Sequence, residues 1–225
     1  MDWTEELKEK TGIQFLTTRP TEIEKTSFEI IKRELGQEFT GSCGRDMLAV
    51  LCRVIHTTAD FSYKDNLYFS QNVMAQALEA IDSGIPIITD TTMALSGINK
   101  RAAGSHGISV HCFIGDEDVK NEAEKTGMTR SAVSVDKAAR LYPECIYAVG
   151  NAPTALMRLY ELIREGRIRP RLVIGVPVGF VNVAEAKELI MTAGVPCIVA
   201  RGRKGGSNVA AAVCNALLYL DAQAG

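Results

Sequence analysis

Residues 147–156 read YAVGNAPTAL. A short apolar run ends at Gly150, an Asn-Ala-Pro turn follows, and an amphipathic helical pattern begins. Two later stretches use the same device, LVIGVPVGF at 172–180 and CIVARGRKGGSN at 197–208. Each reads as a buried strand, a glycine-bearing turn and a helix start. Open α/β sheets bind ligands at the loops after the carboxyl ends of their parallel strands. The rest of the chain is read around these turns.

Working outward, strands are predicted at 85–90, 110–114, 145–149, 171–176 and 197–200. Helices fall between them at 117–125, 131–141, 154–165, 183–192 and 207–221. This alternation implies a parallel sheet with helices on both faces, and right-handed crossovers put the turns on one rim. The expected fold is a Rossmann-like three-layer α/β/α sandwich, with a mainly parallel sheet of about five strands behind an N-terminal helical segment.

That segment begins with a peripheral stretch, 1–20. A helix follows over 21–35, with Thr21 and Glu24 at capping-box spacing and Gly36 as its stop. Ser27 lies on its apolar stripe with Ile23 and Ile31. Residues 36–43 read as a loop. A second helix covers 45–58, burying Met47, Leu48, Leu51, Val54 and Ile55, and Arg53 and His56 share a face at the edge of that stripe. Residues 59–69 read as an aromatic loop, Ser70 as the cap of a helix over 71–82, 91–97 as a short helix or turn, and 100–104 as a loop.

The chain has 225 residues, of which 46% are hydrophobic and 23% charged, so one globular domain spanning 1–225 is expected. A net charge of −2 gives no bulk attraction for nucleic acid. No membrane span and no signal peptide are expected. The six cysteines form no CxxC pair, so structural thiols of a reduced cytoplasmic protein are expected, with no zinc site.

On the rim, Gly150-Asn151-Ala-Pro-Thr154 places a helix start with free backbone N–H groups at a turn. The 175–179 turn mixes prolines and glycines, ending at Gly179, and lets backbone approach a ligand closely. Residues 202–207 add Arg203 and Lys204 beside Gly205 and Gly206. Thr129-Arg130-Ser131 opens another helix with a cation. Such corners bind anions. No turn matches a Walker loop or GxGxxG, which argues against a nucleotide enzyme, and there is no GxSxG elbow. His106 and His111-Cys112 have no diagnostic metal spacing. Proton-transfer groups are few, because the chain has three histidines.

These motifs together resemble the precorrin-8X methylmutase family: SFEII at 27–31, RVIH at 53–56, Pro86 through Asp90, Met93 and Gly97-Ile98, TRSA at 129–132, GNAPTAL at 150–156, GVPVGFV at 175–181, and Arg201-Gly-Arg-x-Gly-Gly-Ser207. The resemblance implies an isomerase that moves a methyl group from C-11 to C-12 of a corrin-forming macrocycle in cobalamin biosynthesis. It implies a protonation-assisted shift with no dissociable cofactor, any cobalt belonging to the substrate. His56 is then the proton donor. Ser27, Arg53 and Arg130 are substrate contacts, joined by Asn151, Thr154, Gly179, Arg203, Gly205 and Gly206 from the rim. A homodimer with its site near the subunit interface is implied, as is a corrinoid partner with no nucleic acid or membrane. The competing expectation is a corrinoid carrier without catalysis.

Overall fold

A computed structural model describes residues 3–220. The chain divides into two compact units, residues 1–43 and 44–225.

The first unit holds the helices Trp3–Thr11, Pro20–Leu35 and Gln37–Ser42. The expected capping box does not form. The helix begins at Pro20, a residue well suited to a first helical position, and Arg19 occupies the cap position without a side-chain capping bond. Glu22 bonds instead to Thr17 and Arg19. Gly36 stops the helix as expected, at φ 82°, its N–H reaching the Lys32 and Arg33 carbonyls. Residues 37–42, expected as loop, form one short helix.

The second unit is built on a six-stranded sheet. Its strands are β1 Leu67–Phe69, β2 Ile87–Thr89, β3 Val110–His111, β4 Ile146–Val149, β5 Leu172–Gly175 and β6 Cys197–Ala200, in the order β1-β6-β5-β4-β2-β3. All neighbours are parallel except β1, which runs antiparallel to β6 on the outer edge. That sixth strand lies within the stretch read as an aromatic loop. Three residues are too few to display a period-2 pattern, and the pairing comes from β6 rather than from local preference. Ser70 extends this ladder rather than capping a helix. Its N–H donates to the Cys197 carbonyl (3.0 Å) and its hydroxyl accepts from the Cys197 N–H (2.9 Å). The helix Val73–Asp82 starts instead after Asn72 in left-handed conformation. Residues 100–105 likewise form a helix, capped by the Asn99 side chain.

Helices cover both faces. On one, Glu117–Thr126, Arg130–Leu141, Pro153–Arg164 and Val183–Met191 pack in succession. On the other, Ser207–Leu220 lies against β4 and β5 and is itself covered by Arg45–Thr58, Thr92–Gly97 and Lys100–Ser105. Strand side chains alternate between the two layers. Tyr147, Val149, Val173, Cys197 and Val199 join Leu156, Leu159, Leu162 and Ile190 in one core cluster. Each of those buried leucines contributes roughly 2 kcal/mol by leaving water.

The chain leaves β2 for β3, crosses back past β2 to β4, and then steps outward through β5 and β6. The direction reverses between β2 and β4, which makes their carboxyl ends the switch point of the sheet. There the turn after β4 presses on the start of helix Ser207–Leu220. A Cβ at Gly150 would lie 2.6 Å from Ser207 Cα and 2.8 Å from Ser207 N. These are backbone atoms that cannot rotate away. Gly150→Ala is expected to destabilise the protein by about 1–3 kcal/mol, as overpacking does. Urea unfolding measures this, and a loss under ~0.5 kcal/mol would show that the rim can spread.

Candidate active site

Asp90 follows β2 at the switch point and is buried. Its carboxylate accepts the backbone N–H groups of Gly150, Asn151 and Ala152, each at 2.8 Å. Burial pushes its carboxyl up, against the three N–H donors that favour the ionised form. The 150–152 turn therefore does not offer these donors to a ligand, contrary to the expectation of a free helix start. The Asp90 carboxyl group already holds them. What the turn presents outward is the exposed Asn151 and the half-buried Thr154. Thr154 Oγ1 lies 2.8 Å from Thr129 Oγ1, and Thr129 caps the helix that Arg130 opens. Arg130 and Thr154 thus sit at adjoining helix starts.

The other turns are tied to this one. The Val176 N–H donates to the Val149 carbonyl (2.9 Å), and the Gly206 N–H donates to the Val176 carbonyl (2.8 Å). The hydroxyls of Thr91 and Ser207 meet at 2.8 Å. A Cβ at Gly205 would fall 2.1 Å from the Val176 carbonyl oxygen, and its φ of +157° also favours glycine. Gly205 thus allows two backbones to touch. The Gly179 N–H, 3.2 Å from the Arg203 carbonyl, closes the 175–179 turn onto the 201–206 turn.

The cations divide into those already held and those available. The Lys204 ammonium is 2.6 Å from Asp60 and 2.9 Å from the Ser62 hydroxyl. Lys204 and Ser62 together hold the Asp60 carboxyl down at about 2. Arg201 stacks over Tyr68 and faces Glu188. Arg203 is exposed, with its guanidinium 5.6 Å from the centre of the Phe180 ring. Among the described residues neither Arg203 nor Arg130 makes an ion pair. Beside Arg203, Phe180 is 83% exposed, and Val181, Val178 and Met93, in segments that follow sheet strands, are also uncovered. A rim carrying two available guanidiniums beside bare apolar side chains suits a ligand that is itself apolar with anionic arms.

His56 is exposed in the last turn of helix Arg45–Thr58. Ala59 ends that helix in left-handed conformation, and Asp60 then binds Lys204 of the rim. His56 lies four residues before Asp60 in the chain, within the last turn of the helix. Arg53 is directed elsewhere. Its guanidinium lies 5.2 Å from the centre of the Tyr219 ring. Tyr219 is twelve residues past Ser207, ~18 Å along its helix from the rim. The structure does not bring Arg53 together with Arg130 and Arg203. Ser27 is half-buried on the helix of the first unit. His106 and His111 are engaged with the Leu218 carbonyl and the Ser109 hydroxyl. Among the described residues no cluster of His, Cys, Asp or Glu is placed to hold a metal.

Two contributors escaped the sequence reading. Asp90 falls inside the predicted strand 85–90 with no role of its own, although an acid directly after an apolar strand at a switch point is a usable signal. Lys187 was absorbed into an ordinary helix. It is fully buried, and its ammonium donates to the Gly202 (2.9 Å) and Lys204 (2.8 Å) carbonyls. Its place four residues after Val183, on the buried stripe, was the available sign.

With this geometry in place, comparison with known proteins is decisive. The precorrin-8X methylmutase family profile matches residues 22–220. The chain belongs to that family. The cobalt-precorrin-8 methylmutase of Salmonella typhimurium is 45% identical over 205 residues, covering 89% of this chain and 95% of that protein. The cobalt-precorrin-8 methylmutase of Leptospira interrogans is 39% identical over 218 residues, covering 93% and 98%. The crystal structure of precorrin-8X methylmutase from Thermus thermophilus superimposes with a TM-score of 0.79 at 40% identity, covering 90% of this chain and 98% of that one. Family membership makes this protein a methylmutase, an isomerase.

The Asp90 contact is testable directly. Asp90→Asn replaces one acceptor oxygen by an N–H₂ that faces N–H donors. The loss should be about 2–3 kcal/mol by urea unfolding. Stability within ~0.5 kcal/mol of wild type would mean that the turn holds itself.

Proposed function

We propose that this protein moves the C-11 methyl group of cobalt-precorrin-8 or precorrin-8X to C-12, giving cobyrinic or hydrogenobyrinic acid. The observation that carries the proposal is family membership over nearly the whole chain, joined to a rim whose chemistry suits that substrate. The macrocycle is a broad apolar ring edged with acetate and propionate groups. Phe180, Val178, Val181 and Met93 supply apolar ground, while Arg130 and Arg203 supply cations for carboxylates. Asn151, Thr154 and the backbone at Gly179, Gly205 and Gly206 shape the contact. Ser27 and Arg53 are included as substrate contacts on the resemblance alone.

In this reading His56 gives a proton to the conjugated ring. The electron-poor π-system then accepts the migrating methyl at C-12 as its bond to C-11 breaks, and loss of a proton restores neutrality. The rearrangement is intramolecular and redox-neutral, so it calls for no cofactor, and cobalt, when present, travels with the substrate. The cobalt-containing substrate is favoured because the two curated relatives above bear that name. The protein is proposed to act as a cytoplasmic homodimer. Its six cysteines are free thiols, in keeping with a reducing compartment.

His56→Ala should fold and bind product like the wild type but lose turnover by about 10²–10⁴-fold, the usual contribution of a general acid. Turnover at the wild-type rate would remove His56 as the proton donor, and visible absorbance follows the conversion. Arg130→Ala should weaken product binding about tenfold or more, with a shallower salt dependence than the wild type. Unchanged affinity at low salt would take Arg130 out of the site. Presenting cobalt-loaded and metal-free substrate side by side decides which is used.

A further inference from the structure

Lys187 is buried among apolar neighbours, yet it is a lysine. Val183, Ala186 and Ile190 of its own helix are buried with it. Taking an ammonium out of water is costly, and burial pushes its pKa down to about 8. A methionine would fill the same space without that cost. What the lysine adds is its bonds. Gly202 and Lys204 both turn their carbonyls onto the one ammonium, at 2.9 and 2.8 Å. The carbonyl between them, that of Arg203, accepts the Gly179 N–H. Three successive carbonyls are thereby each bound by a donor of the protein.

This arrangement fixes the polarity of the turn. In a trans peptide the N–H points opposite to the C=O, and the chain has no cis peptide. The N–H groups of Arg203, Lys204 and Gly205 therefore point away from the bound carbonyls. Among the described residues none of the three donates a hydrogen bond. The outer edge of the turn carries donors and the Arg203 guanidinium, with its negative dipole ends directed inward. An anionic ligand is attracted to such an edge and would be repelled by the reverse one.

We propose that Lys187 is a positioning residue for substrate binding: it holds the 202 and 204 carbonyls inward, with Gly179 holding that of 203, so that the 203–205 donors and Arg203 face the carboxylates of the substrate. The role rests on the corrinoid reading above for the identity of the ligand, and on the hydrogen bonds alone for the brace. Lys187 touches no substrate in this arrangement. Its loss acts on affinity rather than on the proton transfer from His56.

The test compares Lys187→Met with the wild type. The variant should stay folded, bind cobyrinic acid about tenfold or more weakly, and keep kcat at saturating substrate within about twofold, the signature of lost uniform binding. His56→Ala should show the opposite split. A folded Lys187→Met with unchanged affinity overturns the proposal, as does one that loses kcat while keeping affinity. Amide hydrogen exchange in ligand-free protein is the second measurement, and Lys187→Gln replaces the methionine variant if that one fails to fold. The Gly179 and Gly206 amides, bonded across the turn in the wild type, should exchange at least about tenfold faster once Lys187 is replaced. Unchanged protection overturns the brace. In the wild type the amides of 203–205 should exchange fast and become protected on adding cobyrinic acid. Amides already slow without ligand, or left unprotected by bound product, overturn the outward-facing edge. A wild type that binds no cobyrinic acid would sink the corrinoid reading instead, while exchange at Gly179 and Gly206 would still decide the brace.

Discussion

The buried carboxylate of Asp90 receives three backbone N–H groups from the turn after β4. Because β2 and β4 are neighbours at the point where the sheet reverses direction, this contact ties the two halves of the sheet together at their carboxyl ends. It also settles the electrostatics there. Three donors that would have drawn an external anion into the switch point are satisfied internally, so the available positive charge lies outward, on Arg130 and Arg203. Those arginines belong to different turns of the rim, Arg130 beside the turn after β4 and Arg203 in the turn after β6. Cations on two turns suit a ligand held by several anionic edges better than a small anion held at one corner.

The rim behaves as one unit because each turn depends on the next. Asp90 holds the turn after β4. Val149 receives the Val176 N–H, and Val176 in turn receives the Gly206 N–H. Lys187 holds the carbonyls of 202 and 204 from below, while Lys204 reaches Asp60 at the end of the helix that carries His56. The chain of contacts runs from the switch point to the proposed acid without leaving the second unit. Glycine occupies the closest approaches, at 150 and 205, where a side chain would strike backbone.

Much of this was legible in the sequence. The strands β2 to β6 announced themselves as apolar runs closed by glycine or polar turns, and the helix Arg45–Thr58 was readable from its periodicity. The resemblance proposes His56, Arg130 and Arg203 as site residues, and the structure leaves all three exposed. The edge strand Leu67–Phe69 was not legible, because its three residues pair with β6 only after the chain has returned from 130 residues further on. Ser70 and Thr21 looked like helix caps because the local pattern for a cap is short. In the structure, a proline one residue earlier and a partner on β6 decided otherwise.

The sequence by itself determined the α/β alternation, the set of glycine-bearing turns and the family, since all three are written in local pattern or in contiguous motifs. Tertiary structure alone decided what each polar group is for. Lys204 and Arg203 are adjacent and chemically alike, yet one is neutralised by Asp60 from a distant helix while the other stays available. Arg53 stacks on Tyr219, far along its helix from the rim. The YAVGNAPTAL turn reads as an anion site with free donors, but Asp90 fills it. Hydrogen bonds and ion pairs between residues tens of positions apart depend on the packing of whole layers, and no spacing along the chain encodes them.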